Sequence, residues 1–430
     1  MRKFVLLTSI ILLYACTNSA QTKIYQQLTE STPEAGGMST DRLNRIDKLI
    51  KQYVDNHIFS GAAAIIVHNG KVVYYKGIGF DDAEMKASMK KDEIFRIASQ
   101  TKAITSTAVM ILYEEGKLLL DDPISKYIPE FKSPVVLDKF NESDTTYTTV
   151  PAKREITIRD LLTHTSGIDY AVIGSKDMEK IYAKEGIPSG IATENKVLGT
   201  EIRKLGKMPL LHQPGEKFTY GLNTDVLGYL VELLSGMSLD EFFRKRIFDP
   251  LGMKDSYFNI PKEKHNRLAN VNTFDSSHHL VNLPPVYQGL HADYPNRNTT
   301  YFSGGAGLSS TAYDYAIFLQ MMLNGGIYNG KRILSPNAVR MMTMNQIGDL
   351  FLGVDKFGLG FQIVTERGSS KNPSNIGTFS WGGYFGTTYW ADPKENLCAL
   401  LMTQIQPSPT APQNDMAAKF KVLVYQAINN

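Results

Sequence analysis

The chain has 430 residues, with 46 Lys and Arg against 43 Asp and Glu for a formal net charge of +3. At 43 % hydrophobic and 21 % charged residues it is too apolar for a disordered chain, and about 100–200 residues per domain allows two or three structural units. Two cysteines exclude a disulfide framework and a Cys-rich metal site, and the small charge without a long Lys/Arg run leaves no footprint for nucleic acid.

Met1-Arg2-Lys3 precedes a mostly apolar stretch from Phe4 to Ala15, the layout of a secretory signal over residues 1–20 and short for a membrane span. Leu13-Tyr14-Ala15-Cys16 resembles a bacterial lipobox, which would make Cys16 the lipidated first residue of the mature protein. Cleavage near Ala20, discarding Cys16, is the alternative. Either reading predicts export, to the periplasm or a membrane anchor in a bacterial envelope, or into the medium. Residues 21–38, with Pro33 and Gly36-Gly37, read as a linker.

From residue 39 the chain is expected to fold. Ser39 or Thr40 caps a helix that carries Leu43, Ile46, Ile50 and Tyr53 on one face. Ala62–Val67 and Val72–Tyr75 flank Asn69-Gly70, the signature of a β-hairpin. A buried helix is predicted from about Ser99 to Glu115, closed by Gly116, and Thr224 is expected to cap a helix over 226–234 that ends at Gly236. Strands are predicted at 358–364, 378–381, 387–391 and 397–403, with Cys398 in the core, and a last helix at about 416–428. Strands at both ends with helices between predict an α/β (α+β) fold. Its antiparallel sheet would be built from about 39–98 and 301–430, flanked by helices, with a helical region inserted at about 99–300.

Several catalytic patterns are absent from the sequence. There is no Gly-x-Ser-x-Gly elbow, no His-Glu-x-x-His and no Walker loop. His278, His279 and His291 lack metal-ligand spacing and are expected to face solvent, while His164 is expected to be buried and structural. Ser-x-x-Lys occurs twice, at Ser88–Lys91 and Ser99–Lys102. The first lies in a polar, solvated stretch. The second opens a buried helix, where the i, i+3 spacing sets hydroxyl and amine on one face and the helix N-terminus favours negative charge on Ser99. Burial would disfavour the ammonium form of Lys102 and suit it to take a serine proton. On this motif alone, a capping serine with a snorkelling lysine is an equal reading.

The wider context resembles the serine β-lactamase and penicillin-binding-protein family, nearest its class C and carboxylesterase branch. The likeness rests on Phe95-Arg96-Ile97-Ala98-Ser99-Gln100-Thr101-Lys102, on Ile156 to Gly167, and on Phe218-Thr219-Tyr220 with Asp225-Val226-Leu227-Gly228. It continues in Pro250-Leu251-Gly252-Met253 and Gly305 to Thr311. The resemblance implies that Ser99 is the nucleophile, Lys102 its base partner and Tyr220 a proton relay. It also implies that Trp381-Gly382-Gly383 is the third motif, with the N–H groups of Ser99 and Tyr384 as oxyanion hole. No cofactor is implied. Two departures bear on substrate. Trp381 stands where the family commonly has Lys or His, and Leu222 stands where it commonly has Asn. Both losses predict an apolar cleft suited to small acyl esters, by hydrolysis or acyl transfer. The alternatives are a D-amino-acid peptidase or β-lactamase, and a non-catalytic envelope module that binds ligands.

Overall fold

The structure, a computed structural model, describes residues 27–287, 290–406 and 411–429. The expected signal segment and Cys16 lie outside them. Eight strands form one sheet. In chain order they are β1 (Thr29–Glu30), β2 (Gly61–His68), β3 (Lys71–Gly79), β4 (Lys356–Phe357), β5 (Gln362–Ile363), β6 (Phe379–Gly382), β7 (Thr388–Asp392) and β8 (Leu397–Met402). They lie in the order β1-β3-β2-β8-β7-β6-β5-β4, antiparallel except for β1 against β3. The join between chain ends is the β2–β8 pair, where Ala64 faces Leu401 and Ile66 faces Ala399.

The two central strands, β2 and β8, are almost wholly apolar because both faces of the sheet are covered. In β2, Ala63, Ile65 and Val67 enter the larger core, whereas Ala62, Ala64 and Ile66 enter a second one. In β8, Cys398, Leu400 and Met402 alternate with Leu397, Ala399 and Leu401 in the same way. The second core is closed by helix α1 (Thr40–Asp55) and the last helix, Ala411–Tyr425. The Ser39 hydroxyl accepts from the Arg42 N–H to start α1. Asn69 (φ 55°) and Gly70 (φ 75°) make the β2–β3 turn with two left-handed residues, as the Asn-Gly pair requires.

The opposite face carries the helical region, with α2 (Thr101–Glu114) packed against α3 (Asn223–Ser235). Four expectations change in detail. Within the expected linker, residues 27–38 are part of the fold: β1 pairs with β3, and Leu28 and Met38 are buried. The 99–300 region also holds strands, among them the hairpin of Val135–Phe140 with Tyr147–Pro151. The expected strand at 358–364 is realised only in β5, because 358–361 form the turn from β4, where Gly360 takes φ 96°. Thr224 lies inside α3, whose N-cap is Leu222 with no side-chain cap; Gly236 (φ 71°) ends that helix as expected. Among the described residues no helix is long and apolar enough to cross a membrane.

Candidate active site

Ser99 sits in a single 3-10 turn, Ala98–Gln100, that leads into α2, with Ala98 held at φ 40°. A left-handed alanine is costly, and the surrounding core imposes it. One turn on, the Lys102 side chain runs back along the helix and is buried, at 1 % exposure. Its amine donates to Ser99 Oγ at 3.2 Å, to the Tyr170 hydroxyl at 2.8 Å and to the Gly305 carbonyl at 2.8 Å. Three acceptors for three N–H donors explain how a lysine is tolerated in the core.

Two tyrosines flank the amine. Lys102 Nζ lies 4.6 Å from the centre of the Tyr220 ring and 5.4 Å from that of Tyr170. The Tyr220 hydroxyl accepts from the Trp381 indole N–H at 3.2 Å, and the two rings are 5.3 Å apart. Burial, then the neighbouring Tyr220 and Asp225, hold the Tyr170 phenol well above its ordinary range, so it stays protonated. Behind them Asp225 is buried; it accepts from Ser303 Oγ at 2.7 Å, and its other oxygen lies beside Gly305. Burial raises its carboxyl, and Lys102 pulls the other way.

The glycines of the third motif are positional. Gly383 lies so close to the Ile97 carbonyl and the Thr387 hydroxyl that any Cβ would collide with them, so the turn after β6 meets the segment before Ser99. Two cavities meet at Ser99, Ile173 and Tyr384. The larger runs along Tyr220, Trp381, Gly382 and Gly383 and reaches Lys421 of the last helix. The smaller is mainly apolar, between Val172, Ile173, Ile191 and Leu290.

The structure thus brings Ser99, Lys102, Tyr220, Trp381, Gly382, Gly383 and Tyr384 together. Leu222 is the exception. It is 1 % exposed, belongs to the large core and lines neither cavity, because it closes the first turn of α3. Asn223 is turned away too: its amide donates to His164 Nδ1 at 3.0 Å and its carbonyl accepts from Ser166 Oγ at 2.5 Å. His164 is buried and structural, and burial followed by the Lys102 charge holds it neutral. His291 is half-buried beside a second cavity and so only partly open to solvent. Val172, Ile173, Ser189 and Ile191 from one loop and Leu290 from another line the smaller cavity, whereas the hairpin of Val135–Phe140 with Tyr147–Pro151 lines neither.

The Beta-lactamase family profile matches residues 46–423. The chain belongs to the Beta-lactamase family. It is a serine hydrolase of that family. An uncharacterized protein of Mycobacterium tuberculosis is 35 % identical over 371 residues, covering 83 % of this chain and 88 % of the relative. Esterase EstB of Burkholderia gladioli is 28 % identical, over 84 % of this chain and 89 % of the esterase. Among solved structures, EstCE1, described as a hydrolase with promiscuous acyltransferase activity, superposes with a TM-score of 0.76. It is 25 % identical and is covered to 99 %, against 90 % of this chain. Within this Beta-lactamase-family hydrolase, motif reasoning missed Tyr170 as a partner of Lys102 and Asp225 as the buried carboxyl whose charge the lysine feels. Tyr170 lies 68 residues from Lys102 in sequence, so no local spacing marks it.

Proposed function

We propose that the protein forms an acyl-enzyme on Ser99 and acts as a carboxylesterase or acyl transferase on small acyl esters. Ser99 Oγ attacks the ester carbonyl, and Lys102, in its amine form, takes the serine proton. The oxyanion is held by the N–H groups of Ser99 and Tyr384, and Tyr220 hands a proton to the departing alkoxide. Water, or an acceptor alcohol, then attacks the acyl carbonyl by the reverse route.

The observation that carries the ester reading is Trp381. It occupies the third-motif position with an aromatic face, and its one N–H is spent on Tyr220. The third-motif position itself thus supplies no cation for a substrate carboxylate, Lys421 lying instead on the last helix where it borders the cavity, and Leu222 offers no amide. The acyl side of Ser99 is apolar, with Val172 at 58 % and Ile173 at 51 % exposure at its mouth. The similarity to esterase EstB and EstCE1 supports the same reading. The test is kcat/KM for p-nitrophenyl butyrate, a D-Ala-D-Ala peptide and nitrocefin. The ester is expected to lead by at least about tenfold, since each lost polar contact costs an amide substrate a kcal/mol or more. A lead by nitrocefin or the peptide overturns it.

We further propose that the chain is exported, with Cys16 lipidated or removed by cleavage near Ala20. The support is the basic, then apolar, run from Met1 to Ala15. Intact mass of the protein from bacterial membranes, with or without a diacylglyceryl group on Cys16, decides between the two.

A further inference from the structure

Behind the smaller Ser99 cavity lies an inner chamber that the proposed mechanism does not use. Ile191, Leu290 and Tyr384 line both spaces and form the partition between them. The chamber is walled by apolar side chains such as Val271 and Leu283, with Arg96 and Tyr294 among them. Its free space is about 20 Å³ for the centres of water-sized groups, room for one small polar head; the Ser99 side of the partition offers about 180 Å³ for a chain.

Four polar atoms on this chamber are buried and have no hydrogen-bond partner among the described residues: Arg96 Nε, the Tyr294 hydroxyl, His291 Nδ1 and Gln406 Oε1. Arg96, Tyr294 and Gln406 are 3 %, 6 % and 7 % exposed. The other Arg96 donors go to neutral acceptors, the carbonyls of Ala269 (2.7 Å) and Ala292 and the side chain of Gln404 (3.2 Å). No described carboxylate forms an ion pair with it. Asp293 and Asp81 act on it only from farther off, and they are engaged by Arg297 and Asn270. Burial lowers the Arg96 pKa to about 10, which leaves it charged at neutral pH. A buried cation without a counter-charge is expensive, and so is each unpaired polar atom. A carboxylate would answer the charge and accept from both Arg96 Nε and the Tyr294 hydroxyl. Gln406 ties the chamber to the partition, since its amide donates to the Tyr384 hydroxyl at 2.7 Å.

We propose that this chamber is a carboxylate-binding subsite with Arg96 as its cation, filled by the far end of an acyl group carried on Ser99 or by a free short carboxylate. The first source rests on the Ser99 acyl-enzyme reading; the second does not. Two measurements on the full chain separate them. Calorimetric titration of folded Ser99→Ala with glutarate is expected to give saturable heat, weakened at least tenfold by adding Arg96→Gln or Val271→Phe; the latter fills the chamber and leaves Arg96 in place. The ratio of kcat/KM for p-nitrophenyl hemiglutarate over p-nitrophenyl valerate is expected to fall at least tenfold in both variants if the acyl group supplies the carboxylate. Glutarate heat with an unchanged ratio assigns the subsite to a free carboxylate. Glutarate heat with no ester turned over keeps the subsite and rejects the Ser99 reading. No heat from glutarate, or heat indifferent to both substitutions, overturns the proposal.

Discussion

Lys102 Nζ stands 2.8 Å from the Tyr170 hydroxyl and 3.2 Å from Ser99 Oγ, so a tyrosine 68 residues away holds the lysine more closely than the serine on its own helix turn. Tyr170 fixes where the amine points. As a phenol that stays protonated, it also offers Lys102 a partner in either protonation state.

Tyr170→Phe therefore tests positioning. The amine loses one of three partners and gains freedom to leave Ser99. We expect kcat to fall by about 10–100-fold with KM changed less than about threefold. An unchanged kcat, or a rise in KM that accounts for the whole loss in kcat/KM, would contradict the role.

The Trp381 N–H bears on Tyr220 alone. Trp381→Phe keeps an aromatic face and removes the donor, so kcat for a short ester should fall by about three- to tenfold, equivalent to about 1 kcal/mol. Tm should move by no more than about 2 °C, since the side chain is only half-buried.

Gly383→Ala places a methyl group against the Ile97 carbonyl and the Thr387 hydroxyl. The turn carrying Tyr384 must then move away from Ser99. We expect a loss of about 100-fold or more in kcat, comparable with removing one oxyanion donor, and a fall in Tm of several degrees. Gly377→Ala, where an added Cβ meets nothing within 4 Å, probes a positive φ (86°) without that collision and should leave kcat unchanged.

Stability carries a pH signature away from the site. Glu93 is 4 % exposed, and burial, then the nearby Asp81, raises its pKa from 4.5 to about 7. A carboxyl whose folded pKa is raised binds its proton more tightly folded than unfolded, so its contribution falls as pH rises from about 4.5 to about 7. Glu93→Gln removes that dependence. It should stabilise the protein at pH 8, on the order of 2 kcal/mol by urea unfolding, with the difference vanishing near pH 4.5.

Local pattern carried much of the fold into view. The Asn69-Gly70 turn, the apolar runs of β2 and β8 and the cap at Ser39 are short-range signals, and the structure contains each one. Leu222 lies in the core and not in the cleft because a motif position says nothing of where a helix starts; the first turn of α3 rotates it inward. Residues 27–38 read as linker because Pro and Gly suggest turns, yet the burial of Leu28 and Met38 depends on partners 300 or more residues away, such as Tyr328 and Ile428. Tyr170, Asp225 and Gly305 converge on Lys102 through tertiary packing alone, and no spacing rule reaches across such separations.

The ester reading stands on a covalent acyl group on Ser99. Intact mass spectrometry after quenching a reaction with p-nitrophenyl acetate, followed by peptide mapping, reads it directly. One acetyl addition is expected on the Ser99 peptide, absent in Ser99→Ala and slowed in Lys102→Ala. Acetylation elsewhere, or undiminished turnover by Ser99→Ala, would contradict it.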